Sequence, residues 1–158
     1  MNENEVSHLK WLLEKQLHWI SSADSKLAVL VPLPLAMLAI SLSVAAEAFA
    51  QITWNDAPLI VSTVLLCLGL FFTKAALTPR LNGPSDSTIF FGKIATLTEA
   101  EFLAIFESSN EAEFKRDLIQ QVYRNAHIAL IKHCNVGRCI TCLALATPLW
   151  LLAIVMGG

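Results

Sequence analysis

The sequence predicts an all-α membrane protein with three transmembrane helices, an N-terminal amphipathic helix and a small helical domain between the second and third spans. The first observation is composition, because 55 % of the 158 residues are hydrophobic and only 15 % are charged, which is unusual for a soluble domain. The second is the presence of uncharged apolar runs of membrane-spanning length. The third is a polar stretch before the last run that carries loop signals and helix caps.

The N-terminal segment, residues 1–26, is predicted to hold the amphipathic helix. Between Val6 and Ala23, apolar side chains recur at three- and four-residue steps, and charged residues lie off that seam. Trp11 and Trp19 precede the first span, in a region where aromatic rings often lie at the level of the lipid headgroups. The helix either packs on the rest of the protein or lies on the membrane surface.

Residues 27–77 are predicted to form a transmembrane hairpin, with spans at about 27–48 and 57–77. At about 1.5 Å per residue, each run is long enough to cross a hydrocarbon core about 30 Å thick. Pro32 and Pro34 lie near the start of the first span, so a helix either begins again there or kinks. The apolar core of this span exceeds the length of about 7 to 15 residues that is usual in a cleaved signal peptide, so we expect the segment to be retained.

A third span is predicted at residues 137–158, nearly all of which follow Arg138. All eleven Lys and Arg residues lie before Leu27 or between Lys74 and Arg138. Basic residues concentrate in the cytoplasmic segments of membrane proteins. We therefore expect the N-terminus and residues 78–136 to be cytoplasmic and the C-terminus to lie outside.

The cytoplasmic region is expected to open on a loop, because Thr78-Pro79 and Asn82-Gly83-Pro84-Ser85 disfavour regular structure. Ile89-Phe90-Phe91 is too short to span a bilayer. We therefore predict an extended apolar plug at these three residues.

Two helix starts follow, each marked by a cap. Thr98 and Glu101 have capping-box spacing, which predicts a short helix through about Glu107. Asn110 and Glu113 mark the start of a longer helix in the same way. The side chains expected to be buried by the short helix are Phe102, Ile105 and Phe106.

The longer helix is expected to run toward the third span, with Asn135 and Gly137 as its interruption. Glu111 and Lys115 are spaced for a surface ion pair. The cytoplasmic part is too small to bury much core alone, so we expect it to pack on the N-terminal helix and on copies of itself in a homo-oligomer. The apolar stripe of the longer helix consists of Phe114, Leu118, Val122, Ala126 and Leu130.

Several function classes lack the residues that they need. The formal net charge of -2 disfavours binding to duplex nucleic acid, because such domains are usually strongly basic. The chain contains no G-x-S-x-G, Walker or H-E-x-x-H motif. We therefore predict that the protein is not an enzyme and has no catalytic residue.

The four cysteines lie in or beside apolar spans. Cys134, Cys139 and Cys142 copy the spacing of three ligands of a plant-type iron-sulfur site. Arg138 lies inside that pattern, however, and Cys67 in another span is the only candidate for a fourth ligand. We expect reduced cysteines that serve as small packing residues. The histidines show no paired metal spacing either, so we predict no metal site and no cofactor.

One set of side chains in the cytoplasmic region could bind a small anion that carries a base. Basic groups suit a phosphate, aromatic rings suit stacking, and side-chain amides suit a base edge. An amphipathic helix with no ligand is the competing interpretation. The predicted ligand-binding residues are Phe90, Phe91, Lys93, Lys115, Arg116, Gln120, Tyr123 and Arg124. Other residues suited to the same roles are Gln121, Asn125, His127 and Lys132.

Three sequence blocks resemble the transmembrane effectors of Pycsar, a bacterial anti-phage system in which a cyclase makes cyclic pyrimidine mononucleotides. The blocks are Ser22-Ala23-Asp24-Ser25-Lys26-Leu27, Ile89-Phe90-Phe91-Gly92-Lys93-Ile94-Ala95 with Phe102, and Asp117-Leu118-Ile119-Gln120-Gln121-Val122-Tyr123 leading to Ala126-His127-Ile128-Ala129 and Lys132. With the order of the spans, the resemblance covers nearly the whole chain. One departure is His133, where an aromatic residue is expected after Lys132.

The resemblance implies a multi-pass protein of the bacterial inner membrane that senses cyclic UMP or cyclic CMP, made by a partner cyclase, and disrupts the lipid bilayer. The blocks around Phe90 and Asp117 are the expected sensor. An alternative from another class is a structural or adaptor subunit that docks a protein partner through its cytoplasmic helices. A third possibility keeps the effector role but replaces the messenger with a cyclic di- or oligonucleotide.

Overall fold

The protein, seen in a computed structural model, is described over residues 3–48, 56–80, 83–84 and 87–157. The predicted all-α membrane class is confirmed: these ranges contain no strand, and three helices are long and apolar enough to cross a bilayer. The helices are α1 (Glu3–Leu30), α2 (Pro32–Ala48), α3 (Ala57–Leu77), α4 (Phe91–Ile94), α5 (Glu99–Ser108) and α6 (Glu111–Gly157).

The chain divides into two compact units. We name one the span unit, which comprises Ala23–Thr78 and Ile131–Gly158, and the other the polar unit, which comprises Met1–Ser22 and Pro79–Leu130. Helices α1 and α6 each contribute residues to both units.

Apolar side chains from α2, α3 and α6 form the main core of the span unit. Its buried members are Met37, Leu66, Cys139, Leu143 and Ala146. A second cluster contains Ala23, Leu27, Ala76 and Val136. Because lipid removes the hydrophobic drive for helix association, close packing of such residues is what holds spans together.

The boundary between α1 and α2 lies at Val31, directly before Pro32. The Val31 amide donates to the Leu27 carbonyl at 2.9 Å, which completes the last turn of α1. Proline has no amide hydrogen and is well placed in the first turn of a helix. The helix therefore begins again at this position, which is one of the two outcomes that the prolines predict.

Buried hydroxyl groups inside the span unit bond to carbonyls of their own helices. The Ser41, Ser62 and Thr73 hydroxyls are buried and donate to carbonyls of their own helices at 2.9 to 3.0 Å. The Trp150 indole donates to the Met37 carbonyl at 3.2 Å and to the Ser41 hydroxyl at 3.1 Å, which links α6 to α2. These hydroxyls therefore serve helix packing.

The two predicted caps in the polar unit are confirmed. The Thr98 hydroxyl accepts a hydrogen bond from the Glu101 amide, and the Glu101 carboxylate accepts one from the Thr98 amide, so α5 begins with a complete capping box. At the start of α6, the Asn110 side chain accepts from the Glu113 amide at 2.9 Å, and the Glu113 carboxylate accepts from the Asn110 amide at 3.1 Å.

Three expectations about α4, α5 and α6 are wrong. Helix α6 is not interrupted at Asn135 or Gly137, because the Asn135 amide group bonds back to the Ile131 carbonyl at 3.0 Å and so fits a helix. The plug is not wholly extended, since Phe91 begins α4. Helix α5 has no buried residue, and its Phe106 side chain is 57 % exposed.

Part of the predicted loop lies outside the residues that the structure describes. Within Asn82-Gly83-Pro84-Ser85, only Gly83 and Pro84 belong to the part of the chain that the structure describes.

Candidate functional site

A buried carboxylate organises the polar unit. Asp117, on α6, is 7 % exposed. Its Oδ2 atom accepts hydrogen bonds from the Thr88 amide at 2.8 Å, the Ser87 hydroxyl at 3.0 Å and the Thr88 hydroxyl at 3.3 Å. Hydrogen bonds to a charged acceptor are stronger than those between neutral groups. The carboxylate therefore fixes the segment before α4 on the side of α6.

The Ser87 hydroxyl extends this network to the aromatic segment. Its oxygen accepts from the Gln121 side-chain amide at 3.0 Å, the Phe90 amide at 2.8 Å and the Ile89 amide at 3.2 Å. Both Ser87 and Gln121 are buried. Because Asp117 and Gln121 are four residues apart, they lie on one face of α6 and together position the backbone of Phe90.

An arginine lies over the ring of Phe90. The Arg124 guanidinium is 4.7 Å from the ring centroid, and its Nη2 donates to the Arg80 carbonyl at 3.1 Å. The Phe91 ring is tilted against Phe90, with 5.1 Å between centroids, and is 65 % exposed. This arrangement is a cation-π contact on an aromatic pair.

Phe90, Phe91 and Arg124 line a cleft of about 270 Å³, which we name the arginine cleft. Arg80, Gln121 and Asn125 line it as well. The other lining residues are Leu13, Leu17, Ile89 and Ile128. No Asp or Glu is among these lining residues, so the cleft has the charge and the aromatic surface that a small anion with a flat group requires.

A second cleft, of about 470 Å³, lies beside Asp117, and we name it the aspartate cleft. Arg116 and Gln120 line it and are exposed, but Glu113 and Asp117 line it too. The carboxylates outnumber the single cation, so this cleft is less suited to an anion. The Asp117 Oδ1 atom is buried and has no hydrogen-bond partner among the described residues.

The other three predicted ligand residues lie in neither cleft. Lys115 forms an ion pair with Glu5 at 2.6 Å, so the pair expected between Glu111 and Lys115 is replaced by one with α1. The Tyr123 ring is 68 % exposed and lies edge-on to His127 at 4.7 Å. Lys93 is half-buried in α4. The predicted set is therefore divided between two clefts and the surface.

Lys132, one of the other residues suited to phosphate binding, is engaged in an ion pair. Lys132 donates to the Asp24 carboxylate in the span unit. On the polar unit, the hydrogen bond from Lys115 lowers the pKa of Glu5, and the charge of Lys115 lowers it further. Both lysines are thus engaged with carboxylates, and neither lines the arginine cleft, whose basic lining residues are Arg80 and Arg124.

Sequence reasoning missed Arg80, Ser87 and Thr88. Each lies in a segment that reads as a loop, where no periodicity indicates which side chains meet α6. A usable signal was present on α6 itself. Asp117 and Gln121 are polar residues at helical spacing beside the apolar stripe that contains Leu118, and such a pair often marks a buried polar contact.

The three sequence blocks that resemble Pycsar effectors are linked to one another, with one pair of blocks in each unit. Asp24, from the first block, bonds to Lys132 in the span unit. Phe90, from the second block, contacts Ser87, which Asp117 and Gln121 of the third block hold in the polar unit.

Comparison with known proteins places the chain in a family. Residues 8–157 match the family model described as the Pycsar effector protein domain. No curated protein and no solved structure matches the chain. The matched range includes all residues that line the two clefts. It also includes the three candidate spans, except for the residues of α1 before His8. The chain therefore belongs to the Pycsar effector family of anti-phage defence proteins.

Proposed function

We propose that the polar unit binds cyclic UMP or cyclic CMP in the arginine cleft and that binding shifts the spans toward a state that disrupts the membrane. The observation that carries this proposal is the Arg124 guanidinium over the Phe90 ring, in a cleft that has a second arginine and no carboxylate among its lining residues. A cyclic mononucleotide presents one anionic phosphate and one flat base, and these are the groups that such a cleft can bind.

Each part of the cleft has a counterpart on the nucleotide. Guanidinium groups of Arg80 and Arg124 suit the phosphate, because their forked donors match its oxygens. The adjoining Phe90 and Phe91 rings offer aromatic surface for the base. Gln121 and Asn125 line the same cleft. Their side-chain nitrogens donate to the Ser87 hydroxyl and to the Gln121 carbonyl, so their side-chain oxygens are the groups proposed to accept from a base edge.

The action is binding without catalysis. A ligand moves a conformational equilibrium only through unequal affinity for the two conformations. Helix α6 is continuous from Glu111 to Gly157 and contributes residues to both units. A change at Arg124 or Gln121 therefore acts on the same helix that carries the third candidate span.

The protein is proposed to reside in the bacterial inner membrane with the N-terminus and residues 78–136 in the cytoplasm. The support is the distribution of the eleven basic residues, none of which follows Arg138. A C-terminal alkaline phosphatase fusion should be active, and a C-terminal green fluorescent protein fusion should be dark. A bright fluorescent fusion with an inactive phosphatase would reverse the orientation.

Self-association is proposed to use α5. Its Leu103 and Phe106 side chains are 56 % and 57 % exposed, which leaves apolar surface that a second copy can cover. Replacing both residues by Ser should lower the molecular mass measured in detergent by mass photometry. An unchanged mass would remove α5 from the contact between copies.

The function is tested by combining binding with permeability. Full-length protein in detergent should gain thermal stability with cyclic UMP or cyclic CMP, and more than with cyclic AMP or cyclic GMP. Vesicles that contain the protein should release a trapped dye when the same nucleotide is added. If neither pyrimidine nucleotide binds and neither causes release, the proposal is wrong. A response to cyclic dinucleotides alone would keep the effector role and change the messenger.

The exposed apolar face of α5 also favours a second candidate, a structural or adaptor subunit that docks a protein partner. This function predicts stable co-purification of a defined partner that is lost when Leu103 and Phe106 are replaced by Ser. It also predicts that no nucleotide changes the permeability of vesicles, which is the result that separates the two candidates.

A further inference from the structure

Phe90 is a rigid platform in the arginine cleft. Its amide is held by the Ser87 hydroxyl at 2.8 Å. Backbone also lies tightly against its ring, because a Cβ atom at Gly83 would be 2.0 Å from a ring carbon and one at Gly92 would be 2.6 Å away. The ring therefore cannot turn without moving backbone, and its contact with a flat partner is prepared in advance.

The flat partner in this structure is the Arg124 guanidinium, at 4.7 Å from the ring centroid. Its hydrogen bond among the described residues goes from Nη2 to the Arg80 carbonyl. A guanidinium has five N–H donors in a fixed plane, so this contact leaves donors for another acceptor. Arg124 thus covers the platform while its capacity for a phosphate is only partly used.

We propose that the base of a cyclic pyrimidine nucleotide takes the place of the Arg124 guanidinium on Phe90, and that the displaced guanidinium binds the phosphate of the same nucleotide. This inference rests on the proposed function. A pyrimidine is a single flat ring, close to the guanidinium in its extent, whereas a purine has two fused rings. The volume of about 270 Å³ lies just below the usual range for ligand pockets, which favours the smaller base.

The exchange replaces one contact by two. The nucleotide removes a cation-π contact and supplies a base stack together with a charge-assisted pair between guanidinium and phosphate. A nucleoside without phosphate also has to displace Arg124, but it supplies only the stack. Removal of the Arg124 side chain should therefore affect a nucleoside and a cyclic nucleotide in opposite directions.

The test compares uridine and cyclic UMP, and cytidine and cyclic CMP, on full-length detergent-solubilised protein by ligand-observed NMR and calorimetry. In Arg124→Ala, the nucleoside should bind about twofold to fivefold more tightly, because the platform is uncovered. The cyclic nucleotide should bind at least about tenfold more weakly, because the phosphate loses its partner. In Phe90→Leu, both ligands should bind more weakly, by about fivefold or more.

Lys10→Ala is the control, because Lys10 is an exposed cation of the polar unit that lines neither cleft. It should change neither affinity. Arg124→Gln, which keeps a planar hydrogen-bond donor, provides a second variant if Arg124→Ala does not fold, as judged by circular dichroism. It should give the same opposite signs with smaller amplitude.

Failure of the proposed exchange and failure of the proposed function give different results. If wild-type protein binds a cyclic pyrimidine nucleotide but Arg124→Ala fails to bind the nucleoside more tightly than wild type, the exchange is wrong and the proposed function stands. If wild-type protein binds neither cyclic pyrimidine nucleotide, the proposed function itself fails, and the exchange fails with it.

Discussion

The Lys132 ammonium donates a hydrogen bond to the Asp24 carboxylate, so α6 and α1 are joined by an ion pair inside the span unit. The two ends differ in exposure: the Lys132 side chain is 14 % exposed and the Asp24 side chain is 43 % exposed. The Lys132 ammonium is therefore largely removed from water, whereas the Asp24 carboxylate keeps part of its hydration. The main contribution of the pair is then to prevent an unpaired charge beside the second apolar cluster.

Replacing Asp24 by Ala should lower the stability of the detergent-solubilised protein by about 1 to 3 kcal/mol, because the half-buried Lys132 ammonium loses its partner. The double variant Asp24→Lys with Lys132→Asp should recover most of the loss. Thermal unfolding monitored by circular dichroism measures both changes. Lys26→Met is the control, since Lys26 is exposed, and it should leave the midpoint unchanged. Equal losses in the single and double variants would show that the pair is not stabilising.

Asp117→Ala should destabilise the polar unit by about 2 to 3 kcal/mol, because the Ser87 hydroxyl and the Thr88 amide lose their acceptor. Asp117→Asn keeps an acceptor oxygen and should be less damaging. Hydrogen-exchange mass spectrometry should detect faster exchange at residues 87–90 in the Ala variant, with exchange in α3 unchanged. If α3 were destabilised equally, the carboxylate would not be a local anchor.

The sequence predicted the features that depend on local or compositional signals. The caps at Thr98 and Asn110 are hydrogen bonds between residues that are three positions apart. The spans follow from the length and apolar character of single segments. Both features can therefore be predicted without knowledge of the tertiary structure. The amphipathic pattern of α5 indicated an apolar face but not whether anything covers it. Phe106 is consequently exposed where burial was expected.

Contacts between distant segments were beyond sequence reasoning. Lys115 bonds to Glu5, 110 residues away, although Glu111 is available on its own helix. The Asp117 hydrogen bond to Ser87 joins residues 30 apart. Because the loop that carries Ser87 has no periodicity, only the fold can show that it meets α6. The arginine cleft therefore combines predicted residues with Arg80, which no pattern indicates.

The capping box of α5 makes its first turn sensitive to acid. The Thr98 amide and then the Thr98 hydroxyl donate to the Glu101 carboxylate, and these hydrogen bonds lower its pKa below the ordinary value. Because the folded pKa lies below the unfolded one, the stabilisation is complete above the unfolded pKa and is lost as the pH falls through the folded pKa.

We expect a carbon-13 NMR titration of Glu101 to give a higher pKa in Thr98→Ala than in the wild-type protein. The Ala variant keeps the backbone donor and loses the hydroxyl, so the increase should be partial. Glu101 carboxyl signals can be assigned by comparison with Glu101→Gln. Identical titrations in wild type and Thr98→Ala would mean that the hydroxyl does not hold the carboxylate in solution.

Replacement by Ala should be tolerated at Gly137, where it raises stability, and harmful at Gly83, where it impairs ligand binding. Gly137 lies inside α6, and apart from the nearby helix backbone no atom of the described residues is within 4 Å of an added Cβ. Gly137→Ala should therefore stabilise the protein by about 0.5 to 1 kcal/mol through helix propensity. A Cβ at Gly83 would lie 2.0 Å from a carbon of the Phe90 ring, so either the ring or the Gly83 backbone has to shift in Gly83→Ala. We expect the ring to leave its place under Arg124. Thermal unfolding measures the first effect, and loss of cyclic pyrimidine nucleotide binding measures the second. Retained binding in Gly83→Ala would show that the Gly83 backbone gives way and that its contact is not needed to hold the Phe90 ring for the ligand.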